Sequence, residues 1–325
     1  MSRHYLVTGG TGFIGAAAVR RLLRDGHRVR VLDDNSRGHP RRLADVASDF
    51  EMVAGDVRDA SSVARAMRGC DAVLHLAAVN GTEFFYTQPE RVLDVGVRGM
   101  LAVIDACRAN GIGDLVVASS SEVYQTPPVV PTDERAPMSI PDPTNPRYSY
   151  AGSKILTELV AFNYGRSGFG RVAVFRPHNV YGPDMGWEHV VPQFALRAKR
   201  LADAQPSGAL RFALQGDGSQ RRAFNHIDDF IDGLSIVLAK GAHLGLYHIG
   251  TPEETTMAEL ARLVAQRLGR TIEIESGPEP AGSTQRRCPD ISRLAALGYV
   301  PKTKLADGLG PVVDWYAANA SLSPN

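Results

Sequence analysis

Seven short apolar runs punctuate the chain, and their spacing constrains its fold more than any other feature. They are HYLVTG (4–9), RVRVLD (28–33), FEMVAGD (50–56), AVLHLAA (72–78), DLVVASS (114–120), RVAVFRP (171–177) and GLYHIG (245–250). Each is continuously apolar rather than alternating, as expected of strands covered on both faces in a parallel sheet. Parallel neighbours need a crossover between them, and the spacers 13–25, 90–110 and 149–166 are long enough to be helices. The pattern predicts an α/β fold on a doubly wound parallel sheet of about seven strands.

The rhythm fails in two places. Residues 126–147 hold seven prolines in 22 residues, which rules out a helix interior or a central strand and leaves a long, stiff loop. Such a loop in a compact domain is usually functional. Beyond residue 177 the alternation weakens. There we expect a smaller C-terminal lobe, 178–325, forming the substrate side of a cleft, with 225–250 returning to the first domain, 1–177. The totals narrow the partner: 36 Lys+Arg against 35 Asp+Glu leave a formal charge of +1, no electrostatic basis for binding nucleic acid. A small molecule is the expected partner. Cys70, Cys107 and Cys288 are too sparse and uneven for a disulfide framework or a metal site, and read as buried, reduced thiols in a cytoplasmic protein. The chain starts directly with a strand rather than a signal peptide, and no apolar run is long enough to span a membrane.

VTGGTGFIG (7–15) links the first strand to the first helix and contains both Gly10-x-Gly12-x-x-Gly15 and Gly9-x-x-Gly12-x-x-Gly15. Glycines let the backbone turn tightly beside a pyrophosphate, and the helix start favours negative charge. Asp33 closes the second run, where a carboxylate accepts from the adenosine ribose and repels a 2′-phosphate. The cofactor expected is therefore NAD in a Rossmann-type domain, with the nearby Arg37 as the one feature favouring NADP. The site should comprise Gly9, Gly12, Phe13, Ile14 and Gly15 at the turn. Asp33, Asp56 and Val57 lie at the adenine end, and Leu76, Ala77 and Ala78 beside the pyrophosphate. Asp56 can accept from the adenine amino group or cap a helix over 57–68; the two roles are compatible.

In PRYSYAGSK (146–154) the question is which tyrosine reacts. Apolar residues at helical spacing follow, so Tyr150 and Lys154 share a helix face at i and i+4 while Tyr148, six positions from the lysine, does not. Tyr150 is thus the candidate base. A phenol titrates near ~10 in water, so the lysine and a cationic nicotinamide must lower it by roughly 3 units to act near neutrality. A hydroxyl in SSSEVY (119–124), at a strand end, is the natural third participant.

TGGTGFIG, the serines before EVY, Tyr150-x-x-x-Lys154, FRPHNVYGP (175–183) and GDGSQRRAFNHIDDF (216–230) together resemble the extended short-chain dehydrogenase/reductases, in particular the nucleotide-sugar epimerase/dehydratase family. The resemblance runs nearly end to end. It implies a catalytic set of Ser120, Tyr150, Lys154 and Glu122, with Tyr150 and Lys154 also touching NAD. It further implies that Ser121, Glu122, Asn179, His189, Val190, Arg222 and Arg287 meet a nucleotide-diphosphate sugar, the arginines because guanidinium groups bind phosphate bidentately. For Arg222 and Arg287 the alternative is a plain ion pair, and for Glu122 a local cap or pair. Family members begin by oxidising C4 of the sugar. A 4-epimerase needs little beyond Ser, Tyr and Lys, and is the activity first expected here. A 4,6-dehydratase uses an Asp-Glu pair after the hydroxyl, whereas this chain has Ser121 and Glu122. UDP-glucuronate decarboxylases show the hydroxyl-Ser-Glu that SSEVY reproduces, which makes decarboxylation the runner-up. A non-catalytic dinucleotide sensor is opposed by the intact Ser120, Tyr150 and Lys154. The resemblance also implies a homodimer joined through 90–110 and 149–166. Trp187, Glu188 and His189 sit on a loop where relatives contact substrate, so Trp187 either stacks on the sugar or packs internally. No role as a base is assigned to His75, His178 or His226.

Overall fold

The computed structural model describes residues 2–278 and 284–323. The first half of the chain alternates strand and helix. It runs β1 (His4–Thr8), α1 (Phe13–Arg24), β2 (Arg28–Asp33), β3 (Glu51–Ala54), α2 (Ala60–Met67) and β4 (Ala72–His75). There follow α3 (Thr82–Thr87), α4 (Pro89–Leu93), α5 (Gly99–Ala109), β5 (Asp114–Ala118), α6 (Ser149–Gly165) and β6 (Arg171–Pro177). With strand Gly245–Ile249 at one edge, these strands form a seven-stranded parallel sheet in the order 245–249, β6, β5, β4, β1, β2, β3.

Both faces of the inner strands β1, β4 and β5 are buried, which explains their unbroken apolar runs. Tyr5, Val7, Val29, Val31 and Val116 pack towards α1 and α8 (Ile227–Lys240). Their neighbours Leu6, Leu32, Val73, Leu115 and Val117 pack towards α2, α5 and α6. Strand order reverses between β1 and β4, so a crevice opens at their carboxyl ends.

The expected crossover helix over 90–110 is present and unbroken, with a π turn at Asp94–Arg98 between α4 and α5. There Gly96 presses on α6; a Cβ on it would lie 2.7 Å from Cβ of Ser153. The cap of α2 is Asp59, whose carboxylate accepts from the Ser61 and Ser62 amides, and not Asp56.

The proline-rich segment carries no helix or strand before Pro146. It is held by a backbone bridge from Thr132 to Pro289 and by the buried Glu134 carboxylate, which accepts from the His248 amide. After β6, helix α7 (Val190–Ala204), the paired strands Leu210–Gln215 and Ile272–Gly277, and helices Met257–Arg267 and Leu305–Ala318 enclose a separate core around Phe194, Phe212, Leu260, Leu309 and Tyr316. The three cysteines are buried and unpaired. No helix among the described residues is long and apolar enough to cross a membrane.

Candidate active site

The turn between β1 and α1 is closed by glycines that a side chain would jam. Gly9 has φ +74° and a Cβ on it would lie 2.8 Å from the Ala77 amide; one on Gly15 would strike the Gly9 carbonyl at 2.1 Å. Gly12 opens α1 with no side-chain cap, so the first amides of that helix face the crevice without a competing acceptor. A cavity of about 380 Å³ runs along this crevice. Gly9, Gly12, Phe13, Ile14 and Gly15 line it, as do Asp33, Asp56, Val57, Leu76, Ala77 and Ala78. Asp33 is buried and fixed by the Thr11 amide at 2.9 Å and the Asn35 amide at 2.8 Å. Asp56 is held by the Arg58 amide at 2.8 Å and by the Arg58 guanidinium, which lowers its pKa. A glycine cradle too tight for any Cβ, an uncapped helix start and a fixed ribose-side carboxylate fit a dinucleotide.

At the other end of the cavity stand Ser120, Tyr150 and Lys154. Ser120 follows β5, caps a short 3₁₀ turn by accepting from the Glu122 amide at 3.1 Å, and lines the cavity beside Tyr150. Asn145 caps the turn Pro146–Tyr148, so α6 begins at Ser149 and Tyr150 points inward from its first turn, its ring stacked 5.0 Å from that of Phe85. One helical turn on, the Lys154 ammonium donates to the Ala118 carbonyl at 2.8 Å. Burial lowers the Lys154 pKa to about 8 and pushes the Tyr150 phenol up, the neighbouring Ser120 hydroxyl only partly opposing this. The protein alone therefore does not make Tyr150 a base at neutral pH; further positive charge beside the phenol is required. Tyr148 is half-buried and does not line the cavity.

Between these groups and the second lobe lies an acid among arginines. Glu122 forms an ion pair with Arg287, and Arg147 stands 3.9 Å away. Burial acts to raise the Glu122 pKa, but the charges of Arg287, Arg147 and Arg222 outweigh it and hold the carboxylate ionised. Among the described residues, the buried Arg287 Nε has no hydrogen-bond partner. Ser121, Glu122, Asn179, His189 and Arg287 line the cavity, whereas Val190 and Arg222 do not. Val190 packs against the second core, and Arg222 sits on a two-residue strand close enough for its charge to act on Glu122. Trp187 is packed against Trp315 and Tyr316, so of its two expected roles it takes the internal one. His75 bonds the Thr8 hydroxyl at 2.8 Å, His178 is buried beside His248, and His226 caps α8; none lines the cavity. Sequence reasoning missed Arg147 and Phe85. The only sequence signal for Arg147 was its place three residues before Tyr150.

Residues 5–250 match the model of the NAD dependent epimerase/dehydratase family, and the chain belongs to that family. The family is NAD-dependent, and a solved relative shares the fold described here. The dTDP-glucose 4,6-dehydratase of Streptomyces venezuelae, solved with NAD and TYD bound, is 33% identical and superposes with a TM-score of 0.85 over 98% of both chains. The UDP-glucose 4-epimerase of Thermotoga maritima, 26% identical, also gives 0.85, over 98% of this chain and 99% of its own. UDP-glucuronic acid decarboxylase 1 of Arabidopsis thaliana is 30% identical over 95% of this chain and 68% of its own length.

Proposed function

We propose that the protein decarboxylates a nucleotide-diphosphate hexuronate through a transient 4-keto sugar. The supporting observation is the partly buried Glu122–Arg287 pair beside Ser120 and Tyr150, with Arg147 3.9 Å from the carboxylate. A dehydratase must protonate a departing hydroxyl. Here position 121 is serine and Glu122 is held as an anion, so neither is the acid required. Loss of carbon dioxide from a β-keto acid needs no such acid. It needs recognition of a carboxylate, for which the Arg287 guanidinium, with its unpartnered Nε, and Arg147 are suited.

Bound NAD would accept the hydride from C4 and return it. Tyr150 takes the 4-hydroxyl proton, Ser120 shares that oxygen, and Lys154 adds positive charge near the phenol. With a ketone at C4, the C5–carboxyl bond breaks, its electron pair enters the ring as an enolate, and a proton is then gained at C5. Arg222 and Asn179 are assigned to the diphosphate end, and His189 and Val190 to the mouth formed by the start of α7.

Epimerisation, first expected from the sequence, is the second reading. Ser120, Tyr150 and Lys154 suffice for it, and an epimerase shares the architecture. We rank it second because the acid–arginine pair and the presence of a decarboxylase among the relatives support the first reading. Product analysis after incubation with a panel of nucleotide sugars separates the two: a hexuronate losing carbon dioxide supports the proposal, and a product of unchanged mass supports epimerisation.

A further inference from the structure

The segment after β2 carries three arginines, and all three reach across to acids of the loop before α7. Arg37 donates to Glu188 through Nη1 at 2.9 Å and Nη2 at 3.2 Å, and to the Asn80 carbonyl at 2.8 Å. Its guanidinium also lies 4.1 Å from the centre of the Phe84 ring. Arg41 and Arg42 both pair with Asp184, at 2.6 and 3.1 Å. These cations stand close to the ribose-side acid. Arg42 donates to the carbonyl of Thr11, the residue whose amide Asp33 holds, and a Cβ on Gly38 would strike the Thr11 side chain. Arg37 and Arg42 line the cavity together with Asp33.

A guanidinium just past the second strand is what a 2′-phosphate would recruit. Here each such group is already neutralised from the other lobe. We propose that Asp184 and Glu188 are determinants of cofactor choice: by engaging Arg37, Arg41 and Arg42 they withhold the cations a 2′-phosphate needs and, with Asp33, reserve the site for NAD. The preference is thus set partly by a loop more than 140 positions away, as the Arg37–Glu188 separation of 151 shows. It does not depend on which sugar is the substrate, and its test uses none.

The full-length protein, dialysed against an equimolar mixture of NAD and NADP, is analysed for bound nucleotide by mass spectrometry. Glu188→Gln keeps the side-chain shape but frees Arg37, and should raise the NADP:NAD ratio at least about tenfold, the scale of one charge-assisted hydrogen bond gained. Asp184→Asn should act in the same direction through Arg42; asparagine tolerates the positive φ of 55° at that site. Adding Arg37→Met to Glu188→Gln should return the ratio to that of the unmodified protein. An unchanged ratio in both single variants overturns the proposal. So does a gain that persists without Arg37, or an equal loss of both nucleotides, since either would mean that the loop only holds the cleft together.

Discussion

Tyr150 lies one helical turn from Lys154, stacked on Phe85 and lining the cavity with Ser120, and this neighbourhood supports Tyr150 rather than Tyr148 as the reactive group. Tyr150→Phe keeps the ring and its stacking but removes the proton acceptor. Turnover should fall by about 100- to 10,000-fold with NAD binding nearly unchanged, while Tyr148→Phe should cost far less; steady-state kinetics with nucleotide titration checks both. The i, i+4 relation was legible because it is local. The same is true of Asp33, which ends a strand directly after a glycine turn. The partners of Glu122 were not legible. Arg287 lies 165 positions away, and an ion pair between distant loops leaves no periodic trace. Trp187 could not be assigned for the same reason, since its partners Trp315 and Tyr316 lie on the last long helix.

Helices α3 to α6 carry a set of apolar side chains that the chain itself does not cover. Tyr86 on α3, Leu93 on α4, and Leu156, Leu159 and Tyr164 on α6 are all exposed, Leu159 to 47%. On α6, Leu156 and Leu159 are i and i+3 on one face, and burying such a stripe against a second copy is the simplest way to remove it from water. We expect a homodimer through α4, α5 and α6, near the segments 90–110 and 149–166. Light scattering at micromolar concentration should report twice the chain mass, and Leu159→Glu should shift it to the monomer. A monomeric unmodified protein would contradict the assignment. The inner strands were legible because they are covered on both faces, while the π turn at Asp94–Arg98 was not, because it answers to contact with α6 rather than to local sequence.

The sheet was readable from the sequence, and the second lobe only faintly. Several of its strands are two residues long, too short for any hydrophobic period. The whole molecule also carries a pH signature. His75 and His248 are buried and lowered to about 3, and His178 is likewise lowered, all chiefly by burial. They are neutral when folded but protonate near ~6.5 when unfolded, so the stability they carry is full above that pH and lost as pH falls towards 3. Between pH 7.5 and 5 the urea midpoint should therefore drop, each histidine contributing a slope approaching about 1.4 kcal/mol per pH unit. Flat stability over that range would mean these rings are solvated. The chemistry itself is tested most directly with one substrate, a nucleotide hexuronate carrying carbon-13 in its carboxyl group and deuterium at C4. Decarboxylation through a 4-keto sugar should give labelled carbon dioxide in step with turnover, deuterium retained at C4 of the pentose product, and one solvent proton gained at C5. A product that keeps the carbon label, with its mass unchanged or reduced only by water, would contradict it.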